Sequence, residues 1–511
     1  MNRREFLQQS TVLTAAVGLA GGRQGGVASV SGTAGRAGFA EADITPEIGM
    51  EQPGGYGKSF HKSLHDPCKV RVAVFDDGGK RVALVGTDSL TVPEQLVKDV
   101  RKEIQAKCGI APDGVLIGAS HSHSSGPTGM VLPGEYDHAS PLVRKLAYEQ
   151  SSCADPRYLQ LMHRQIVAAV SQATQSLTEA RCSFGVGTED KVGFNRRFRM
   201  KNGLTFTHPG KCNPDIVEAA GPIDPKVGVI GAYDQKGKLL GVVVNYACHA
   251  TTSPGGISAN WIYYLEKTIR GAMGVNVPVV FLQGASGDVT QVDNLNPYPN
   301  PAGEQWAELV GGRVGAEAVK VLLSAYPGAF GPVDARTTML TFNRRIPSPE
   351  RVNRCLEIVP KEPKQVGVTN WTFAKEILML DALIAKNPKV QAEVQAVQIG
   401  PAVFVSNPAE FFCQLGIDIR AGSSFPITMP VELANGVVGY VPTEEALGPK
   451  GGGYETRLTA YSNLEVTAGT QLVKAGIQLT RQMKPGVIPE PNKATPSTSP
   501  WEYGSVPPEL S

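Results

Sequence analysis

The sequence predicts an α/β protein with a large mixed sheet arranged in several layers. Two observations carry that expectation. Short apolar segments rich in β-branched residues alternate with stretches whose apolar residues recur at helical spacing. In addition, 57 Gly and 38 Pro among 511 residues interrupt these segments often, as many strand and helix ends require.

Residues 69–76 (KVRVAVFD) and 81–88 (RVALVGTD) read as a hairpin turned by Asp77-Gly78-Gly79. Residues 93–108 carry Val, Leu and Ile at helical spacing, and 114–120 (GVLIGAS) reads as a buried strand. An amphipathic helix is expected over 157–178. A strand pair follows at Gly228–Asp234 and Gly241–Ala247, turned by Gln235 to Lys238. A helix at about 260–273 leads to the strand 277–283, and a long helix occupies 302–325. Strands at 336–343 and 391–406 flank a helical stretch near 371–385. No internal repeat is visible. After Met483, seven Pro in 28 residues predict an extended tail.

A hydrophobic fraction of 41% excludes a mostly disordered chain. With 49 Lys+Arg against 47 Asp+Glu, no basic field argues for nucleic acid. No run reaches the length of a membrane span. The start, Arg3-Arg4-Glu5-Phe6-Leu7 followed by the mildly apolar Thr11 to Ala20, has the pattern of a twin-arginine export signal over residues 1–30. A periplasmic or extracellular location is therefore expected. The organisation expected is that signal, one domain over 34–483, and the Pro-rich tail 484–511. Eight cysteines without a CxxC pair are expected to be mostly buried thiols; an exported chain permits one or two bridges among them.

Three strands end in polar clusters. After VLIGA comes Ser120-His121-Ser122-His123-Ser124-Ser125-Gly126-Pro127. Residues two apart on extended backbone face the same side, so both imidazoles can point into one site. His-x-His at a strand end suits a divalent metal such as zinc, and equally suits two hydrogen-bonded loop histidines. The second cluster, Asn245 to Thr252, holds His249, a third imidazole or a structural hydrogen-bonder, with Cys248 as a rival ligand. The third, Gln283-Gly284-Ala285-Ser286-Gly287-Asp288-Val289-Thr290, offers a carboxylate and a hydroxyl on small-residue backbone. It is not a G-x-S-x-G elbow, and no H-E-x-x-H helix occurs in the chain.

Together these segments resemble the neutral, non-lysosomal ceramidase family. The resemblance runs from Gly38 to Pro46 and Gly55-Tyr56-Gly57-Lys58, through Gly86-Thr87-Asp88, the SHSHSSGP segment and Phe194-Asn195-Arg196-Arg197. It continues through YACHATT and GDVT to Asn407 to Phe411 and Leu433 to Thr443, all in family order. It implies one catalytic domain with a zinc ion at the strand ends, held by His121, His249, Glu410 and Tyr440. His123 is then a proton-handling or orienting residue beside the metal, and Arg196 and Tyr454 donate to the substrate carbonyl oxygen. The family's essential serine is Thr290 here, and its Pro-Asn neighbours are Gln291-Val292. The family's C-terminal sandwich domain has no counterpart in the sequence, and no aromatic-rich loop stands out as a lipid dock.

Three functions are consistent with these residues. The leading one is a zinc-dependent hydrolase of an amide, with a small-molecule or lipid substrate of the ceramide type. The second keeps the metal and changes the substrate to a more polar ester, amide or glycan-derived compound. The third is a secreted, non-catalytic binding protein whose metal only fixes the fold.

Overall fold

The computed structural model describes residues 35–511; the expected export signal lies outside them. Among these residues the main sheet has eight strands. Their spatial order is Val279–Gln283, Leu239–Tyr246, Lys226–Asp234, Thr178–Thr188, Arg36–Asp43, Lys69–Asp76, Arg81–Thr87, Val115–Ala119. Each end of the sheet repeats one connection: an antiparallel hairpin, then a helical crossover to a parallel edge strand. Lys69–Asp76 and Arg81–Thr87 lead through the helix Glu94–Cys108 to Val115–Ala119. Lys226–Asp234 and Leu239–Tyr246 lead through Trp261–Met273 to Val279–Gln283. The parallel edge strands are buried throughout, as strands covered on both faces must be.

The two ends of this sheet approach each other. A Cβ on Gly86 would stand 2.3 Å from the Phe281 carbonyl oxygen, so only glycine fits where these strands meet. A smaller sheet, ordered Val333–Asn343, Lys389–Ile399, Ala402–Ser406, Ile427–Val431, packs on the main one. Leu84, Leu116, Ile230, Val243, Leu282, Val397, Phe404 and Met429 form their shared core. Helices cover the outer faces: Glu94–Cys108 with Pro156–Gln175, Trp261–Met273 with Gly303–Ser324, and Cys413–Gly422 with Ala468–Arg481. The fold class is the expected mixed, multilayer α/β.

The run expected as one strand over 391–406 is two, because the chain reverses at Gly400, which has φ of +56°. All eight cysteines are free thiols, and only Cys212 is exposed. The tail over 484–511 contains no helix or strand. Its first residues lie on the smaller sheet, where Gly486 N–H donates to the Gly400 carbonyl.

A candidate metal centre

The site is assembled where strand ends from both halves of the main sheet meet. Val115–Ala119 delivers His121, whose φ of +61° turns the chain sharply past the strand. The loop is then pinned: Ser122 Oγ donates to the Ser258 carbonyl (2.8 Å) and Ser125 Oγ to the Ser122 carbonyl (2.7 Å). Leu239–Tyr246 delivers His249, whose backbone N–H donates to the Val289 carbonyl. The segment Glu432–Asn435 stitches these ends together: Ala119 N–H donates to Leu433, and Glu432 N–H to Gln283. Glu410 and Tyr440 lie in register on the paired parallel strands Ala409–Phe411 and Gly439–Val441, so they sit side by side.

The hydrogen bonds set the tautomers. His121 Nδ1 donates to the Leu90 carbonyl (3.0 Å) and His249 Nδ1 to the Ser286 carbonyl (2.8 Å). Burial keeps His249 neutral, so it presents an unprotonated Nε2, as metal-ligating imidazoles do; burial would lower His121 too, but the Glu410 carboxylate facing its Nε2 outweighs that and raises it. Those two nitrogens stand 3.4 and 3.7 Å from Glu410 Oε2. His249 Nε2 and Glu410 Oε2 are buried with no hydrogen-bond partner. Two acceptors facing each other in a buried site repel unless a cation sits between them, so the residues fit a metal. His123 joins the group, its Nε2 3.2 Å from His121 Nε2, and ring nitrogens of His121, His123 and His249 all lie within 4.8 Å of one another. Gly54 makes room for the His123 ring, since a Cβ there would stand 2.2 Å from Nδ1.

The charges follow from this packing. Burial drives His249 down to about 3, assisted by the Arg196 guanidinium. Burial and the two neighbouring imidazoles lower His123 as well. Burial would raise Glu410, but His121 and His249 outweigh it and hold the carboxyl well below its usual range. Burial raises the Tyr440 phenol, with the Glu410 charge adding to it.

Arg196 is held by three hydrogen bonds. Its Nε donates to Glu455 Oε1 (2.8 Å), and its Nη2 donates to the Gly287 carbonyl (2.7 Å) and to Tyr440 Oη (3.1 Å). Tyr454 Oη stands 3.0 Å from Tyr440 Oη, completing a polar wall beside the imidazoles. Thr290 lies on the short strand Val289–Thr290, paired with Phe194–Asn195, and its Oγ1 accepts from Val292 N–H (3.1 Å). His121, His123, Glu410, Tyr440 and Tyr454 line a cavity of about 500 Å³, and Thr290 is absent from its wall.

One supporting residue, Glu432, was missed by sequence reading, and a second, Asp288, was seen only as a carboxylate after a strand. Glu432 accepts from Ser286 Oγ (2.5 Å) and Phe411 N–H (2.7 Å), and burial pushes its carboxyl up to about 8. It fixes both the loop carrying the His249 acceptor and the strand carrying Glu410. Asp288 accepts from Cys413 N–H and Asn195 Nδ2, fastening the 283–290 cluster to its neighbours. Asp288 was visible as a carboxylate after a strand, whereas Glu432 gave no local signal.

The comparisons with known proteins bear on the fold. No family profile matches the chain. The neutral ceramidase of Pseudomonas aeruginosa is 24% identical over 334 residues, covering 62% of this chain and 46% of that protein. The matched stretch thus spans just under half the length of the relative. Two solved structures share the fold. A ceramidase complexed with C2 has a TM-score of 0.63 at 18% identity, covering 89% of this chain and 77% of that one. The crystal structure of the P. aeruginosa neutral ceramidase has the same TM-score at 19% identity, covering 89% and 76%. The chain has the ceramidase fold, and the resemblance read from its motifs extends to the three-dimensional structure.

Proposed function

We propose that this protein is a zinc-dependent hydrolase that cleaves the carbon–nitrogen bond of an N-acyl amide. The observation that carries the reading is the pair of buried, unpartnered acceptors His249 Nε2 and Glu410 Oε2, set beside His121, whose Nε2 stands 3.4 Å from the same Glu410 oxygen. Two imidazoles, a carboxylate and a phenol oxygen (His121, His249, Glu410 and Tyr440) form a donor set that zinc accepts. When bound there, zinc supplies a Lewis acid that polarises a carbonyl and acidifies water.

The chain's own residues do the rest. His123, neutral and exposed to the cavity, takes the proton of the attacking water and passes it to the departing amine nitrogen as the carbon–nitrogen bond breaks. Tyr454 donates to the carbonyl oxygen as charge develops on it. Arg196 acts through Tyr440, whose oxygen it holds in place. Thr290 keeps the loop in shape through its bond with Val292 N–H; among the described residues no base accepts its proton.

The cavity favours a lipid-like substrate over a polar one. Met130, Val131, Leu132, Val390, Val437 and Val438 line it, enough apolar surface to hold an aliphatic chain. Among the described residues no helix is long and apolar enough to cross a membrane. The twin-arginine pattern of Arg3-Arg4 supports export before the protein meets this substrate.

Metal analysis tests the reading together with a screen of N-acyl lipids against water-soluble amides and esters. The purified protein is expected to carry close to one zinc, His121→Ala and His249→Ala to lose it, and N-acyl lipids to be the class hydrolysed. A metal-free native protein, or a zinc-loaded one that turns over none of these compounds, overturns it.

A further inference from the structure

The helix Val368–Lys386 forms one wall of the cavity through Phe373, Glu376, Met379 and Leu383. Their spacing of three, three and four residues places them on one helical face. A single carboxyl therefore interrupts an apolar stripe that faces the cavity. Its side chain is 4% exposed, and burial raises its pKa against the pull of Lys375. A buried carboxyl in such a stripe is costly unless its oxygens find partners.

The protein supplies only part of that partnership. Lys375 Nζ is 3.6 Å from Glu376 Oε1, beyond a good hydrogen bond, and donates instead to the Tyr56 and Gln150 carbonyls and to Ser151 Oγ. The next residue, Ser152, lines the same cavity, and its hydroxyl is buried without a partner. The Ser152 hydroxyl thus has hydrogen-bonding capacity that the chain does not use, and the Glu376 carboxyl, with about four lone-pair sites, keeps some beyond its hydrogen bond from the Ala460 backbone N–H. Because Lys375 already balances the charge of Glu376, the missing partner is a neutral group, not an ammonium.

We infer that Glu376 and Ser152 form a specificity subsite for an alcohol hydroxyl carried on the aliphatic part of the substrate. The subsite rests on the proposed amide-hydrolase reading only for the identity of the compound that bears the hydroxyl. A site built to hydrogen-bond a hydroxyl discriminates strongly against the analogue lacking it, because its own polar groups are then left unpaired.

The test uses matched pairs of N-acyl amides of equal chain length, with and without one hydroxyl, placed on the acyl part in one pair and on the amine part in the other. The zinc-loaded protein is expected to prefer the hydroxylated member of at least one pair by about tenfold or more in kcat/KM. Ser152→Ala and Glu376→Leu should each reduce that preference several-fold, and Ser152→Ala alone decides the matter if the Glu376 variant does not fold. Calorimetric binding of the free acids and free amines from the same pairs gives a second readout, independent of turnover. Selective binding of a hydroxylated member, lost in Ser152→Ala, sustains the subsite even if no amide is cleaved. Equal binding and equal kcat/KM across both pairs, or a preference unchanged in both variants, overturns it.

Discussion

Thr290 is the residue at which resemblance and chemistry part. In the resemblance read from the motifs it takes the place of the family's serine, yet its Oγ1 is occupied as an acceptor by Val292 N–H, and no imidazole, carboxylate or amine among the described residues takes its proton. A hydroxyl nucleophile needs such a base, and its β-methyl would also crowd the attack. If Thr290 only shapes the loop, Thr290→Ala should lower turnover by about tenfold or less, the cost of one lost hydrogen bond of about 1 kcal/mol that does not touch the reacting oxygen, and Thr290→Ser should retain activity. Single-turnover hydrolysis with the three proteins checks this. An acyl group trapped on Thr290, or complete loss in the alanine variant with a gain in the serine one, would make it the nucleophile.

At the scale of elements, the site depends on close approaches that local sequence hides. The hairpin over 69–88, the helices near 157–178, 260–273 and 302–325, and the three polar strand ends were legible because each is a local pattern of turn residues or apolar spacing. The strands Arg36–Asp43 and Thr178–Thr188, which join the two halves of the main sheet, were not, because their burial is fixed by distant neighbours. Glu432 and Glu376 carry no local signal of burial in the sequence, and tertiary packing makes them interior. Gly439 shows the same dependence. With φ of +77°, it lets the strand carrying Tyr440 pass Tyr461, and a Cβ there would stand 1.9 Å from the Tyr461 carbonyl oxygen. Gly439→Ala should therefore destabilise the fold by about 1–3 kcal/mol through strain and overpacking. It should also weaken zinc binding by displacing Tyr440. Denaturant unfolding and metal titration measure the two effects; normal values for both would show that the strand pair adapts freely.

At the scale of the molecule, the ligands proposed for zinc come from positions 121, 249, 410 and 440, spread over most of the described chain. They meet only after both halves of the eight-stranded sheet, the segment Glu432–Asn435 and the paired strands around Glu410 are in place. No partly folded chain holds the complete proposed donor set, so under the proposed reading metal loading and folding belong to one event. The export proposed from the Arg3-Arg4 pattern fits this, because a protein of such a design benefits from a route that carries it already folded. Replacing Arg3-Arg4 with Lys-Lys should leave the precursor in the cytoplasm, folded and carrying zinc, while the parent is recovered outside it. Fractionation followed by metal analysis of both forms is the measurement. Unchanged export of the Lys-Lys precursor would mean that the chain crosses unfolded by the general secretory route. The zinc site would then have to assemble on the far side of the membrane.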